Sequence, residues 1–227
     1  MTSKAIVLLS GGVDSATVLY WAVKQGYSTQ ALTYNYRGRV LKELEATRRI
    51  ASDAGVKLIE TELPFLQNAA DITKENPSAF QGAQVPEGYI PSRNLVFYAL
   101  AAYYAETCAA DYVIGGHLVT DSQGFPDATP GFFHDLEQLI NSTRLTRESG
   151  KRKDIRLLMP FLTKTKTEIV TMAVALGVPL ELTWSCYYNG SEQCGRCVTC
   201  LEREEAFTSA GVEDLRKRPE SRTADKT

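Results

Sequence analysis

The run Ala5-Ile6-Val7-Leu8-Leu9 constrains this chain more than any other stretch. Successive side chains of a strand point to opposite faces, so an unbroken apolar run needs cover on both. Ser10-Gly11-Gly12-Val13-Asp14-Ser15 follows at once. Then Ala16 to Lys24 carries apolar residues at helical spacing and stops at Gly26. Strand, glycine turn and helix in that order present free backbone N–H groups and the positive end of a helix to an anion. The two glycines let backbone approach the anion with no Cβ in the way, and Ser10 and Ser15 add hydroxyls. The stretch has neither the Gly-Lys-Ser/Thr of a Walker loop nor a G-x-G-x-x-G fingerprint. The bland alternative is a tight turn that happens to hold two glycines.

The same alternation continues. Residues 29–35 read as a strand, 39–54 as a helix stopped by Gly55, and 57–62, 111–115 and 155–160 as further strands. This predicts an α/β, Rossmann-like sheet of about five parallel strands with helices on both faces. The length of 227 residues allows one large domain with a small appendage, expected at 1–180 and 181–215, with a fraying tail over 216–227. A net charge of −2 argues against a broad nucleic-acid face. No run reaches the ~18 apolar residues of a membrane span. Lys4 passes directly into a strand, which predicts no signal peptide and a cytoplasmic setting.

Residues 63–89 lose periodicity and read as a long connection, either a lid or binding loop or a disordered excursion. A strong helix then runs to about Ala109, with Ser92 placed to cap it. Arg93 and Asn94 in its first turn oppose the helix dipole, which points to an anionic ligand nearby. Beyond the fourth strand come Gly116-His117 and a polar loop, Thr120 to Asp127. Asp121 and Asp127 there are candidate magnesium ligands, donor-binding carboxylates or Asx-turn residues. His117 reads equally as a structural histidine or a base. Phe132 to about Thr146 reads as a helix and Glu148 to Lys153 as a charged link. Thr165-Lys166-Thr167-Glu168 is a capping box opening a helix that Gly177 closes. It sets Lys166 within reach of a phosphate.

Cys186, Cys194, Cys197 and Cys200 are spaced C-x7-C-x2-C-x2-C. Two-residue spacings fold consecutive thiolates around one ion, and four close a tetrahedral shell, so structural Zn²⁺ is the default. An iron–sulfur cluster is the rival, although the fourth cysteine lies upstream of the ferredoxin position. Cys108 reads as a plain buried thiol in the middle of a helix.

The Ser10–Ser15 loop resembles the pyrophosphate loop of ATP pyrophosphatases, which cleave ATP between the α and β phosphates to adenylate an oxygen. Other motifs follow in order: Pro91-x-Arg93-Asn94-x-x-Phe97, Gly116-His117-x-x-x-Asp121-x-x-Gly124-Phe125-Pro126-Asp127, Thr165-Lys166-x-Glu168-Ile169 and Thr183-Trp184-Ser185-Cys186-Tyr187 before the cysteine knuckles. Together they resemble the 7-cyano-7-deazaguanine synthase (preQ0 synthase) family, and they span residues 5 to about 207.

The resemblance implies a ligase that joins ammonia to 7-carboxy-7-deazaguanine at the expense of ATP. It forms the nitrile of queuosine- and archaeosine-type deazapurine synthesis through an adenylated carboxylate and then the amide. It implies ATP and Mg²⁺ at Leu8, Leu9, Ser10, Gly11, Gly12, Val13, Asp14, Ser15, Ala16, Thr17 and Val18. By the same match Asp14, Lys166, Arg93 and Asp121 are the catalytic candidates, and Arg93, Asn94, Asp121 and Asp127 bind the substrate. A homodimer is also implied. Two segments depart from the family pattern. Tyr36-Arg37-Gly38-Arg39-Val40 stands for the usual Tyr-Gly-Gln-Arg-His, and Ala128 stands where Pro-Asp-Cys has its cysteine. The alternatives are a divergent adenylating enzyme acting on another deazapurine, a protein terminus or tRNA (by thiolation), and a zinc-ribbon module that senses a nucleotide without turnover.

Overall fold

The sheet is built from β1 (Lys4–Leu8), β2 (Ser28–Tyr36), β3 (Lys57–Leu63), β4 (Tyr112–Ile114) and β5 (Arg156–Leu158). The computed structural model describes residues 2–86, 88–145 and 153–216. Strand order is β3-β2-β1-β4-β5 and every neighbouring pair is parallel. The apolar first run forms the central strand, where both faces are covered. Ala5 and Val7 enter one apolar cluster and Ile6 enters the other, each at most 1 % exposed.

Helices α1 (Val13–Lys24), α2 (Leu41–Asp53), α7 (Lys166–Leu176) and α8 (Val198–Ser209) supply the cluster on the Ala5 side. Helices α4 (Arg93–Thr107) and α6 (Pro130–Thr143) supply the Ile6 side. From β1 the chain steps outward through β2 to β3, then returns across the sheet to β4 on the far side of β1. That reversal opens a crevice at the carboxyl ends of β1 and β4, where open α/β sheets place ligands.

The structure departs from the sequence reading in several local ways. Helix α1 begins at Val13 rather than Ala16, so the second half of the glycine motif is already the first helical turn. The 63–89 connection holds a seven-residue helix, α3 (Ala69–Glu75), whose Asn68 cap accepts the Asp71 N–H at 2.9 Å. Seven residues are too few to show helical periodicity. The expected polar loop at 120–127 is a short helix, α5 (Val119–Gly124), and a 3₁₀ turn at Pro126–Ala128. Cys108 is not mid-helix but ends α4, half-buried, with its Sγ 3.9 Å from Gln30 Oε1. Of the charged link expected over 148–153 all but Lys153, and of the tail expected over 216–227 all but Arg216, lie outside the described residues. Among the described residues no helix is long and apolar enough to cross a membrane.

Candidate functional site

A cavity of about 280 Å³ opens at the carboxyl ends of β1, β2 and β4 and is roofed by the start of α4. Leu8, Leu9, Ser10, Asp14 and Ser15 line one side, and Arg93, Asn94, Phe97, His117 and Asp121 the other. None of the described residues in 63–89 lines it, so the connection read as either a lid or binding loop or a disordered excursion adds no described residue to this cavity.

The glycine loop is braced by its own hydroxyls. Ser15 Oγ accepts from the N–H of Ser10 (3.1 Å) and of Gly11 (3.3 Å), donates to Gly12 O at 3.1 Å and lies 3.0 Å from Ser10 Oγ. The two serines therefore hold the turn in shape. The N–H groups left open by helix geometry are those of Val13, Asp14 and Ser15, in the first turn of α1. Gly11 has φ +100, and a Cβ there would stand 2.4 Å from Glu43 O, so the loop is seated directly on α2. Val13, Ala16, Thr17 and Val18 are fully buried under the loop, and Thr17 Oγ1 donates to Val13 O at 2.7 Å. Their side chains support the turn from the core side.

The structure brings Asp14 and Lys166 together across 152 residues. Lys166, the first residue of α7 behind the Thr165–Glu168 capping box, pairs its Nζ with Asp14 Oδ2. Asp14 Oδ1 is buried and has no hydrogen-bond partner among the described residues. A carboxylate half used by a lysine, with its other oxygen unsatisfied, has the donor chemistry of a Mg²⁺ ligand.

At the start of α4 the expected Ser92 cap is absent. Ser92 adopts a left-handed conformation (φ 52) and its side chain makes no cap. Asp127 takes the role from a distance. Its Oδ2 accepts the Asn94 N–H at 3.1 Å, while Asn94 Nδ2 donates to Asp127 O at 2.9 Å. A carboxylate at a helix N-terminus is favourable, and it offsets Arg93 beside it. Asp127 is thus engaged with α4 and does not line the cavity, whereas Asp121 does. Asp121 Oδ2 accepts the Leu118 N–H at 2.8 Å and lies 3.8 Å from His117 Nδ1. The Arg93 side chain faces the cavity with no hydrogen bond and no ion pair among the described residues. His117 packs against the rings of Tyr98 and Phe133 at 5.7 and 5.0 Å. Burial, then the charge of Arg93, lowers its pKa to about 4, so the imidazole is neutral at pH 7.

Two charged residues of the cavity wall were missed in the sequence. Arg39 and Glu43 stand one helical turn apart with Nε and Oε2 3.7 Å apart. Burial raises the Glu43 pKa, against the lowering influence of Arg39 and Arg93. The i, i+4 spacing was the available signal. Arg39 lies in the segment that departs from the family pattern, yet it keeps the arginine's place in the five.

The four C-terminal cysteines converge, their Sγ atoms all within 4.8 Å of one another. Cys194 and Cys200 are 3.9 Å apart. A tetrahedral ZnS₄ centre with Zn–S near 2.3 Å needs sulfurs about 3.8 Å apart, so the cluster can hold one metal ion. Backbone N–H groups of Cys194, Tyr188 and Cys197 point at Cys186 Sγ, Cys186 Sγ and Cys194 Sγ, each at 3.4 Å, and such donors stabilise thiolates. The cluster is tied to the glycine loop. Trp184 Nε1 donates to Cys186 O at 3.0 Å, and the Trp184 backbone N–H donates to Gly11 O at 2.9 Å. Behind it, Arg203 of α8 is 2 % exposed and forks onto Asp214 at 2.6 and 2.9 Å while also donating to Thr183 Oγ1 at 2.8 Å.

A five-stranded parallel sheet with a serine-braced glycine loop at its central strand end defines a pyrophosphate-loop α/β protein. A family model described as "Queuosine biosynthesis protein QueC" matches residues 4–211, and the chain belongs to that family. It is 37 % identical over 219 residues to the 7-cyano-7-deazaguanine synthase of Thermoplasma acidophilum, covering 93 % of this chain and 90 % of that protein. It is 39 % identical over 217 residues to that of a Nitratiruptor species and 38 % identical over 221 residues to that of Clostridium kluyveri, each match covering 93 % of this chain and 96 % of the relative. Among solved structures, the NMN synthetase of Francisella tularensis superposes with a TM-score of 0.51 at 16 % identity, over 93 % of this chain and 79 % of that one, a likeness of fold.

Proposed function

We propose that the protein converts 7-carboxy-7-deazaguanine and ammonia to 7-cyano-7-deazaguanine, acting as an ATP-dependent, C–N bond-forming ligase. Family membership and the named relatives support the reaction. The observation that carries it at the level of chemistry is Arg93, a cation with no ion pair among the described residues, facing the open N–H groups of α1 across one cavity. One wall suits a polyphosphate and the other a carboxylate. A carboxylate cannot expel oxide. Transfer of AMP to its oxygen releases pyrophosphate and makes AMP the leaving group. Ammonia displaces AMP with loss of a proton to give the amide. A second adenylation at the amide oxygen, with loss of both N–H protons and AMP, leaves the nitrile.

In this reading the first turn of α1 takes the phosphates, and Lys166 stands beside the departing pyrophosphate. Arg93 takes the substrate carboxylate, leaving Asp121 and Glu43 as the cavity carboxylates able to accept paired N–H donors of a guanine-like edge. Asp14 Oδ1 would hold Mg²⁺, which supplies charge neutralisation on the phosphates when bound. The cysteine cluster would carry structural Zn²⁺, residues 181–215 forming a metal-stapled subdomain on 1–180 in a cytoplasmic homodimer. The test is turnover of 7-carboxy-7-deazaguanine with ATP, Mg²⁺ and ammonium in zinc-replete protein. Mass spectrometry should show the nitrile, with two AMP formed per product. Recovery of unchanged acid alone overturns the assignment.

A further inference from the structure

The glycine loop is held by an arginine whose two Nη groups are both given over to protein acceptors. Arg39 precedes α2, and its side chain is 6 % exposed. Its Nη1 donates to Thr33 Oγ1 at 2.9 Å, Tyr34 O at 2.7 Å and Asn35 Oδ1 at 3.2 Å, all on β2. Its Nη2 donates to Ser10 O at 2.9 Å and to Thr47 Oγ1 at 3.1 Å. Thr47 is fully buried in α2 and passes its own hydroxyl hydrogen to Glu43 O at 2.8 Å, which frees its oxygen to accept from Arg39. The absent side chain of Gly11 would fall 2.8 Å from that same Thr47 Oγ1. One guanidinium therefore joins the end of β2, the first turns of α2 and the first carbonyl of the loop.

We infer that Arg39, with Thr47 behind it, is a positioning residue for the anion-binding loop rather than a ligand of the nucleotide. An arginine that lines a phosphate cavity is ordinarily read as a phosphate clamp. Here both Nη groups are occupied by protein acceptors and Nε faces Glu43, so the fork is spent on geometry. Holding Ser10 O toward the guanidinium turns that carbonyl away from an incoming anion. It also fixes where Ser15 meets the Ser10 and Gly11 N–H groups, and hence where the first turn of α1 points. A lysine has the charge but not the planar fork, and cannot reach β2, the loop and Thr47 together.

The inference rests on the reading of the loop as an ATP site, and the experiment separates the two. Binding of a non-hydrolysable ATP analogue with Mg²⁺ is measured by calorimetry on the full chain, alongside KM for ATP and for the deazaguanine acid. Arg39→Lys should weaken analogue binding by roughly tenfold or more, the worth of a charge-assisted hydrogen bond. It should raise KM for ATP and leave KM for the acid unchanged. Thr47→Val, which deletes the accepting oxygen at constant shape, should shift ATP binding in the same direction, and Thr47→Ser should restore it. If Arg39→Lys does not fold, the Thr47 pair decides alone. Unchanged analogue affinity in the folded variants, or an equal rise in both KM values, overturns the positioning role. A wild-type chain that binds no analogue overturns the nucleotide reading instead.

Discussion

Replacing Arg203 with methionine removes a charge from one of the most enclosed places in the molecule. The guanidinium is 2 % exposed and its partner carboxylate on Asp214 is 9 % exposed. The variant leaves Asp214 buried without its cation and strands the oxygens of Thr183, Ser185 and Leu180, which the arginine also serves at 2.8, 3.2 and 3.3 Å. Breaking a buried ion pair from one side costs roughly 3–5 kcal/mol. For a chain of this size each kcal/mol lowers the thermal midpoint by about 2–4 °C, so Arg203→Met should melt roughly 6–20 °C below the wild type. The charge itself is the expensive part, and a second substitution, Asp214→Leu, should recover much of the loss because an apolar pair needs no mutual solvation. The assay is reversible denaturation of metal-loaded wild type, single and double variants, followed by circular dichroism. A single variant that melts with the wild type would refute the reasoning, as would a double variant no better than the single.

The neutral His117 makes the stability of the ligand-free protein depend on acid. Its pKa is about 4 when folded against 6.5 in the open chain, so the unfolded state binds the extra proton between those values. Stability should be full above pH 6.5 and fall by roughly 3 kcal/mol as pH drops to 4, a slope that His117→Gln should flatten in urea titrations. One equivalent of zinc per chain is expected by elemental analysis. Chelation, or Cys200→Ser, should lower that content and the thermal midpoint together; visible absorption typical of an iron–sulfur centre would exclude the zinc assignment.

The sequence announced the parallel sheet because β1 is apolar from Ala5 to Leu8, and announced the cysteine cluster because its spacing is itself the geometry. Lys166 was legible as a helix start close to the site, but its bond to Asp14 was not, since nothing local couples residues 152 apart. Asp127 was open among several roles for the opposite reason. Its residue type fits a substrate or metal carboxylate, yet the fold delivers it to the open end of α4, a backbone need that only the folded chain reveals. Arg203 carried no signal at all. An arginine in a charged helix reads as solvated, and its burial follows from how α8 packs beneath residues 180–185.

The contact between Gly11 O and the Trp184 N–H has a bearing on how the protein is made. The loop is synthesised well before its clasp, and the arginine that steadies the clasp comes later still. The loop is thus secured only by a residue made much later, and a nascent chain arrested before residue 184 would carry it without its anchor.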